Sequence, residues 1–512
     1  MPVPSMPALD PDACYLALLA RDARFDGRFF TGVTSTGVYC RPICGVRTPR
    51  RENCRFFRYP AQAEREGFRP CLRCRPELAP GATPAWSSTD AGEILVGAAV
   101  RLLDTPAGGV RSVGGLARAL GVSERHLRRL FEERLGVSPM QYLQTRRLLA
   151  AKQWLTDSHL PMAQVAQLAG FGSLRRFNDA IRMHYRLTPG QLRRQAKAGT
   201  GTPEPDIVVR LGWRPPYDVA AVLGFLQRRA IAGVERVDVA GGTAATLPGL
   251  WRTLHLHAHD GRRHVGWIDV RLDAARHQAV VRVPATLAPV LPAVIHRVRA
   301  LLDLDADPQV IQAVLKDMPG AAGRLEGVRV PGCVDGFELA VRAVLGQRIS
   351  VAAARTLVAR LVTHLGERLD PDTPDRLWFP SPQRLAAASP EQLGRLGITR
   401  QAQAALLAIA RAVCEGRLDL DHVTDPPAAM AELCTLPGVG AWTAHYIAMR
   451  ALRWPDAFPA GDVALHRALG LAGPRAAAQA EAMARAWRPW RSYAVMRAWT
   501  AAALPTSSPT NR

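Results

Sequence analysis

The 512-residue chain carries 66 Lys and Arg against 44 Asp and Glu, a formal charge of +22, and 48% of its residues are apolar. At roughly 100–200 residues per domain this supports three or more cores, and the charge points to a polyanionic partner, most simply nucleic acid. No run approaches the ~20 apolar residues of a membrane span, and Met1 to Leu9 lacks the charged-then-apolar pattern of a secretion signal, so a soluble cytoplasmic protein without a membrane partner is expected.

Five of the nine cysteines fall between Cys40 and Cys74, which reads as metal binding in a reducing compartment rather than a disulfide scaffold. Cys40-Arg-Pro-Ile-Cys44 and Cys71-Leu-Arg-Cys74 are two close pairs, and four thiolates at this spacing suit one tetrahedral zinc. A bound zinc also explains how so small and polar a segment folds. A purely structural zinc knot and a thiol-redox sensor are the competing readings. Cys54 is an extra thiol with a structural role.

The residues around these pairs are Phe25-Asp26-Gly27-Arg28-Phe29-Phe30, Val33 to Pro42, Arg51-Glu52-Asn53 and Gly67-Phe68-Arg69-Pro70-Cys71. They closely resemble the N-terminal domain of the Ada family, methylphosphotriester-DNA methyltransferases and activators. The resemblance implies a small zinc-bound α+β domain over residues 1–80. It also implies that Cys40 accepts a methyl group from a DNA phosphotriester while Cys40, Cys44, Cys71 and Cys74 hold the zinc. Zinc with four thiolates is formally doubly negative and repels phosphate; methylating one sulfur removes a charge and should tighten DNA binding. Arg41 and Arg47 are candidate phosphate contacts, or ordinary solvated arginines.

Ala79 to Pro84 reads as a linker and Ser87 to Asp90 as a helix cap. Two similar units follow, Val113 to Phe131 and Met162 to Phe177. Each has a short amphipathic helix, a glycine-containing turn, a serine cap and an arginine-rich second helix. Pro139 to Leu155 reads as one connecting helix. The pair, with Tyr185-Arg-Leu-Thr-Pro189, resembles the AraC-type DNA-binding domain, which implies an all-α double helix-turn-helix over 90–196. Arg125, Arg128, Arg129, Arg175, Arg176 and Asn178 are candidate groove contacts, with phosphate contact or solvation as the alternative for each. An activator of this type implies RNA polymerase as a partner.

After the Pro/Gly-rich boundary at 197–205, residues 206–284 alternate as an antiparallel sheet does, with one helix near Tyr217 to Arg229, giving an α+β subdomain. His255, His257 and His259 share one strand face but lack Cys or carboxylate partners, so they read as solvated. From about Ala285 to 503 the pattern is helical throughout.

Leu436-Pro437-Gly438-Val439-Gly440-Ala441-Trp442 reads as a helix-hairpin-helix turn. Glycine is expected there because the backbone must take positive φ and approach another backbone closely. Gly438 and Gly440 would then offer amides at a helix N-terminus to a DNA phosphate. About two dozen residues on, Phe458-Pro-Ala-Gly-Asp462 sets a lone carboxylate before another helix. Asp462 is thus a candidate catalytic group, or simply an N-cap.

Together with Trp213 to Asp218, Leu223 to Leu226, Pro331 to Asp335, Leu345-Gly-Gln347 and Trp487 to Tyr493, this stretch closely resembles AlkA, the DNA-3-methyladenine glycosylase II family. The resemblance implies a base-excision glycosylase with a flipped base held by Phe225, Trp442, Tyr446 and Trp499, although a core role is the alternative for each. Aromatic faces favour a cationic alkylated purine. Such a base leaves readily, so the carboxylate needs only to stabilise the oxocarbenium-like sugar. Where strand-cutting relatives carry a Schiff-base lysine, this chain has Trp442, which implies a monofunctional enzyme. Gln347 and the position after it would meet DNA; the family's apolar wedge is here Arg348. The family's hairpin also holds a monovalent cation through carbonyls.

The whole reads as a bacterial, nucleoid-associated DNA-alkylation responder: methyl sensor, transcriptional activator and glycosylase on double-stranded DNA. No Pro-Cys-His-Arg motif is present, so O6-methylguanine transfer is not expected. A regulator that uses its glycosylase segment only to bind DNA is the alternative.

Overall fold

The computed structural model describes residues 9–81, 91–104, 112–197, 206–239, 247–257, 261–319, 325–369, 373, 375–421, 423 and 425–503. The expected cap at 87–90, His259, residues 82–84 of the first linker and 198–205 of the second lie outside these residues. The chain forms two compact units: Met1–Pro215 with His255–Arg299 and Leu304–Ala306, and Pro216–Leu254 with Ala300–Asp303 and Asp307–Arg512. No described helix is long and apolar enough to cross a membrane.

After a helix over Pro11–Leu19, the first unit holds a four-stranded sheet in the order β3 (Cys54–Phe57), β1 (Phe30–Val33), β2 (Val38–Cys40), β4 (Arg69–Pro70). β1 pairs antiparallel with both β2 and β3, while β2 pairs parallel with β4. That order sets Cys40 at the end of β2 next to Cys71, whose N–H donates to the Tyr39 carbonyl at 3.0 Å. Phe30, Tyr39, Ala63 and Phe68 form the small core beside it.

The helix-turn-helix segment follows the expected repeat. In the first unit of the repeat, α1 (Val113–Ala119) and α2 (Glu124–Leu135) flank Gly121 at φ 66°. In the second, α4 (Met162–Leu168) and α5 (Leu174–Tyr185) flank Gly170 at φ 78°. Ser123 Oγ accepts from His126 N and Ser173 Oγ from Arg176 N, both at 3.2 Å, so each second helix has its expected serine cap. Buried residues recur at helical spacing, Leu127, Leu130, Phe131 and Leu135 in one and Phe177, Ile181 and Tyr185 in the other. Arginines are left on the opposite faces.

Between the two, α3 (Pro139–Asp157) carries a buried ionic cluster. Lys152 Nζ donates to Glu77 Oε2 at 2.9 Å and to the Cys71 carbonyl at 3.3 Å, both side chains being almost fully buried. Arg75 pairs with Glu77 and with Asp157. The loop that carries the second cysteine pair is therefore tied to the centre of the helix-turn-helix segment.

Three further strands of this unit, β5 (Ile207–Gly212), β8 (Arg263–Asp273) and β9 (Gln278–Val283), run antiparallel as expected, β9 pairing with both others. In the second unit, β6 (Glu235–Asp238) pairs antiparallel with the Gly249–Arg252 part of β7 (Gly249–His257) after helix α6 (Val219–Gln227), which Asp218 caps through Ala221 N at 2.8 Å. The helical core gathers α7 (Gly336–Leu345), α8 (Val351–Leu365), Ala405 to Ala412, Leu433 and Ile447. One departure from the all-helical expectation is a short antiparallel ladder, Glu367–Arg368 with Leu377–Trp378.

Candidate active site, metal centre and DNA-binding surfaces

The hairpin forms as read: α9 (Pro426–Thr435), a turn, then α10 (Ala441–Arg450). The two glycines differ, however. Gly438 has φ 75°, and a Cβ there would stand 3.0 Å from Ala405 Cβ and 3.2 Å from the Gln401 carbonyl. Gly440 has φ −94° and caps α10, with nothing within 4 Å of a built Cβ. Positive φ is thus needed at one glycine only. The other leaves a helix N-terminus open to a ligand.

Asp462 caps α11 (Val463–Ala468), so the N-cap reading is correct as far as it goes. Its Oδ1 accepts from Leu465 N at 2.7 Å and from Trp499 Nε1 at 2.9 Å. Its Oδ2 accepts from Trp442 Nε1 at 2.9 Å. Three N–H groups fix both oxygens beside a cavity of about 450 Å³. The loop before it is held by His445 Nδ1, which accepts from Phe458 N at 3.2 Å, and by His466 against the Ala460 carbonyl at 2.6 Å.

Trp442, Tyr446 and Trp499, the last on α12 (Arg491–Ala503), line that cavity together with Phe225. Trp442 and Tyr446 stack with centroids 5.3 Å apart and planes at 10°. Trp499 lies 6.0 Å from Tyr446, tilted by 41°. Phe225 is less available than the resemblance implies. Arg229 Cζ sits 3.7 Å from its ring centroid and Arg450 Cζ 4.8 Å, so guanidinium groups already cover it. Neither arginine was singled out in the sequence, although each follows a pocket aromatic at the i, i+4 spacing, Arg229 after Phe225 and Arg450 after Tyr446.

Gln347 is half-buried. Its Nε2 donates inward to the Gly438 carbonyl at 2.9 Å and to Thr443 Oγ1 at 2.8 Å, tying the loop after α7 to the hairpin. Arg348 is exposed and has φ 57°, a left-handed turn next to exposed Ile349.

In the metal centre the Sγ atoms of Cys40, Cys44, Cys71 and Cys74 lie within 4.8 Å of one another. Zn–S bonds of about 2.3 Å in a tetrahedron place sulfurs roughly 3.8 Å apart, so the cluster fits one zinc. Arg41 N points at Cys74 Sγ at 3.3 Å, a hydrogen bond that suits a thiolate. Cys54 lies outside the cluster, bonded to the Arg50 carbonyl.

The Arg41 side chain does not reach solvent, contrary to either expectation for it. It is 7% exposed, paired through Nε with Asp26 at 2.8 Å and through Nη1 with the Cys74 carbonyl at 3.0 Å. Asp26 is buried and requires a counter-charge, which Arg41 supplies. Arg47 is exposed, as are Arg125, Arg128, Arg129, Arg175 and Arg176, while Asn178 is half-buried.

Four family models match in succession: the metal binding domain of Ada over residues 13–77, a helix-turn-helix domain over 116–195, the AlkA N-terminal domain over 208–335, and the HhH-GPD superfamily base excision DNA repair protein over 341–492. Metal centre, paired helix-turn-helix and hairpin with carboxylate therefore define a modular DNA-binding repair protein with one zinc site.

The chain is 38% identical over 514 residues to a probable bifunctional transcriptional activator/DNA repair enzyme AlkA of Mycobacterium tuberculosis, covering 97% of this chain and 98% of that one. It is 39% identical over 293 residues to DNA-3-methyladenine glycosylase 2 of Escherichia coli, covering 56% and 95%. To the regulatory protein ada of Salmonella typhimurium it is 36% identical over 162 residues, covering 31% and 42%. The chain belongs to the family of the bifunctional transcriptional activator/DNA repair enzymes AlkA.

Proposed function

We propose that this protein excises alkylated purines such as 3-methyladenine from DNA, and that its zinc domain takes methyl groups from DNA phosphotriesters. Four functional domains carry this reading, at 1–80, 90–196, 206–284 and 285–503. The observation behind the first activity is the Asp462 carboxylate, held by two indole N–H groups and a helix amide at the wall of an aromatic cavity.

A purine methylated at N3 is cationic and departs neutral, taking the C1′–N electron pair with it. Positive charge then collects on the sugar, and the fixed carboxylate stabilises it without reorganising. Water adds at C1′ and gives its proton to solvent. Trp442 offers no amine for a Schiff base, so the strand stays intact.

At the metal centre Cys40, Cys44, Cys71 and Cys74 would hold the zinc, which keeps sulfur as thiolate at neutral pH. Cys40 Sγ attacks the triester methyl carbon; the C–S bond forms, the C–O bond breaks, and the electron pair stays on the phosphate as a diester anion. The site then carries one negative charge fewer and binds DNA more firmly. Exposed arginines of α2 and α5 read the promoter, and RNA polymerase is the partner such an activator recruits.

The test is incubation with methylated duplex DNA, followed by chromatography of released bases, a denaturing gel and mass spectrometry of the protein. Expected are free 3-methyladenine, an unbroken but alkali-labile strand, and one methyl group on Cys40. No released base overturns the first activity; a disulfide or an unmodified Cys40 overturns the second.

A further inference from the structure

The chain leading to Asp462 is fixed by more than His445 and His466. It begins with Trp454 to Ala457, and every carbonyl of that stretch meets one of two adjacent residues at the start of α12. Ser492 N donates to the Pro455 carbonyl at 2.8 Å. Ser492 Oγ lies 2.8 Å from the Trp454 carbonyl and 3.0 Å from that of Ala457. Arg491 Nη2 donates to the Asp456 carbonyl at 2.6 Å.

Arg491 also grips the Asp456 carboxylate with a two-pronged fork, Nε at 2.7 Å and Nη2 at 3.0 Å, while its Nη1 reaches Glu481 at 2.9 Å. Arg491, Ser492 and Asp456 are 4%, 0% and 6% exposed, so these bonds are shielded from water. Phe458, next in the chain, is buried with Arg491 Cζ 5.8 Å from its ring centroid. His466 then holds the Ala460 carbonyl, which leaves little slack between Ala457 and Asp462.

Trp499 lies on the same helix, roughly two turns beyond Arg491. Its indole donates to Asp462 Oδ1 at 2.9 Å. One helix therefore holds both the stretch that leads to the carboxylate and one of the carboxylate's donors. That bond forms only while loop and helix keep their register. A misplacement of about 1 Å at a reacting group can slow chemistry on the order of 100-fold, so the register bears on rate.

We propose that Arg491 is a positioning residue for base excision, whose fork on Asp456 ties the loop to α12 and so sets Asp462 against Trp499 and the sugar. Arg491 is not among the residues that line the cavity and acts through Asp462. Lysine in its place keeps a charge beside Asp456 but loses the fork. The inference rests on the glycosylase reading of Asp462.

The experiment measures single-turnover release of 3-methyladenine from methylated duplex by wild type, Arg491→Lys, Trp499→Phe and the double variant. Binding to abasic-site DNA serves as the control for folding. Expected is a fall of at least ~10-fold for Arg491→Lys with abasic-site DNA still bound. The double variant should stay within about threefold of the slower single one, because both changes break the same contact. Ser492→Ala deletes only a hydroxyl, should slow release about fivefold with the same non-additivity, and carries the test if Arg491→Lys does not fold. Rates that multiply, an unchanged rate, or slower release matched by an equal loss of DNA binding overturns the inference. A wild type that releases no base overturns the glycosylase reading instead.

Discussion

Trp442 and Trp499 each turn an indole N–H to Asp462 and a ring to the cavity, so one side chain serves both the carboxylate and the base. Replacing Trp499 with Phe keeps the ring and deletes the donor. An unmade bond to a half-buried charged acceptor costs about 1–3 kcal/mol, so base release should slow roughly 10- to 100-fold with DNA affinity retained. An unchanged single-turnover rate would remove the indole from this role. His445 adds a pH dependence. Burial first, and Arg491 next, hold its imidazole below the ordinary 6.5, so it stays neutral and accepts from Phe458 N. As pH falls through that value the unfolded chain takes up a proton that the folded one resists, and stability drops. The unfolding midpoint should fall on acidification from about pH 7.5 to about pH 5.5, and less so for His445→Gln. Equal slopes would contradict this. Asp462 and the aromatic residues were legible because they sit in a motif. The indole bonds were not, since they join positions 20 and 37 residues apart that only the fold brings together.

For the hairpin, the Gly-x-Gly pattern announces the turn but not the work of each glycine. Gly438→Ala faces a left-handed φ and a crowded Cβ, and should lower stability by about 1–3 kcal/mol in chemical denaturation. Gly440→Ala meets open space and should cost only the N-cap preference, on the order of 0.5 kcal/mol, with its main effect in DNA affinity. Equal destabilisation by the two would contradict the geometry. Serine caps, recognition helices and the cysteine pairs were readable because each is a local rule of spacing. Arg41 was not, because its fate depends on Asp26, which folding buries beside the second cysteine pair.

The four matched segments lie in a row along the chain, yet contacts gather it into two units, since His255–Arg299 returns to the first. Segment order was legible; this return was not, because strand pairing over long separations leaves no mark in local pattern. Within the first unit the zinc loop and helix α3 share the buried Lys152–Glu77 pair and the Cys71 carbonyl. Chelating zinc should therefore open residues 71–81 to protease and lower the unfolding midpoint of the helix-turn-helix segment, reversibly on adding zinc. Lys152→Met should destabilise the same unit by about 3–5 kcal/mol, as breaking a buried pair does. An unaltered midpoint in both experiments would show that the loop and α3 fold independently.

The central claim is that Asp462 performs the base-excision chemistry, and single-turnover release of 3-methyladenine by wild type and Asp462→Asn tests it most directly. Asparagine keeps the size of the side chain and removes the charge. Release should fall by at least ~100-fold, the scale of one lost electrostatic stabiliser, while abasic-site DNA is still bound. Equal release by the two proteins would contradict the account.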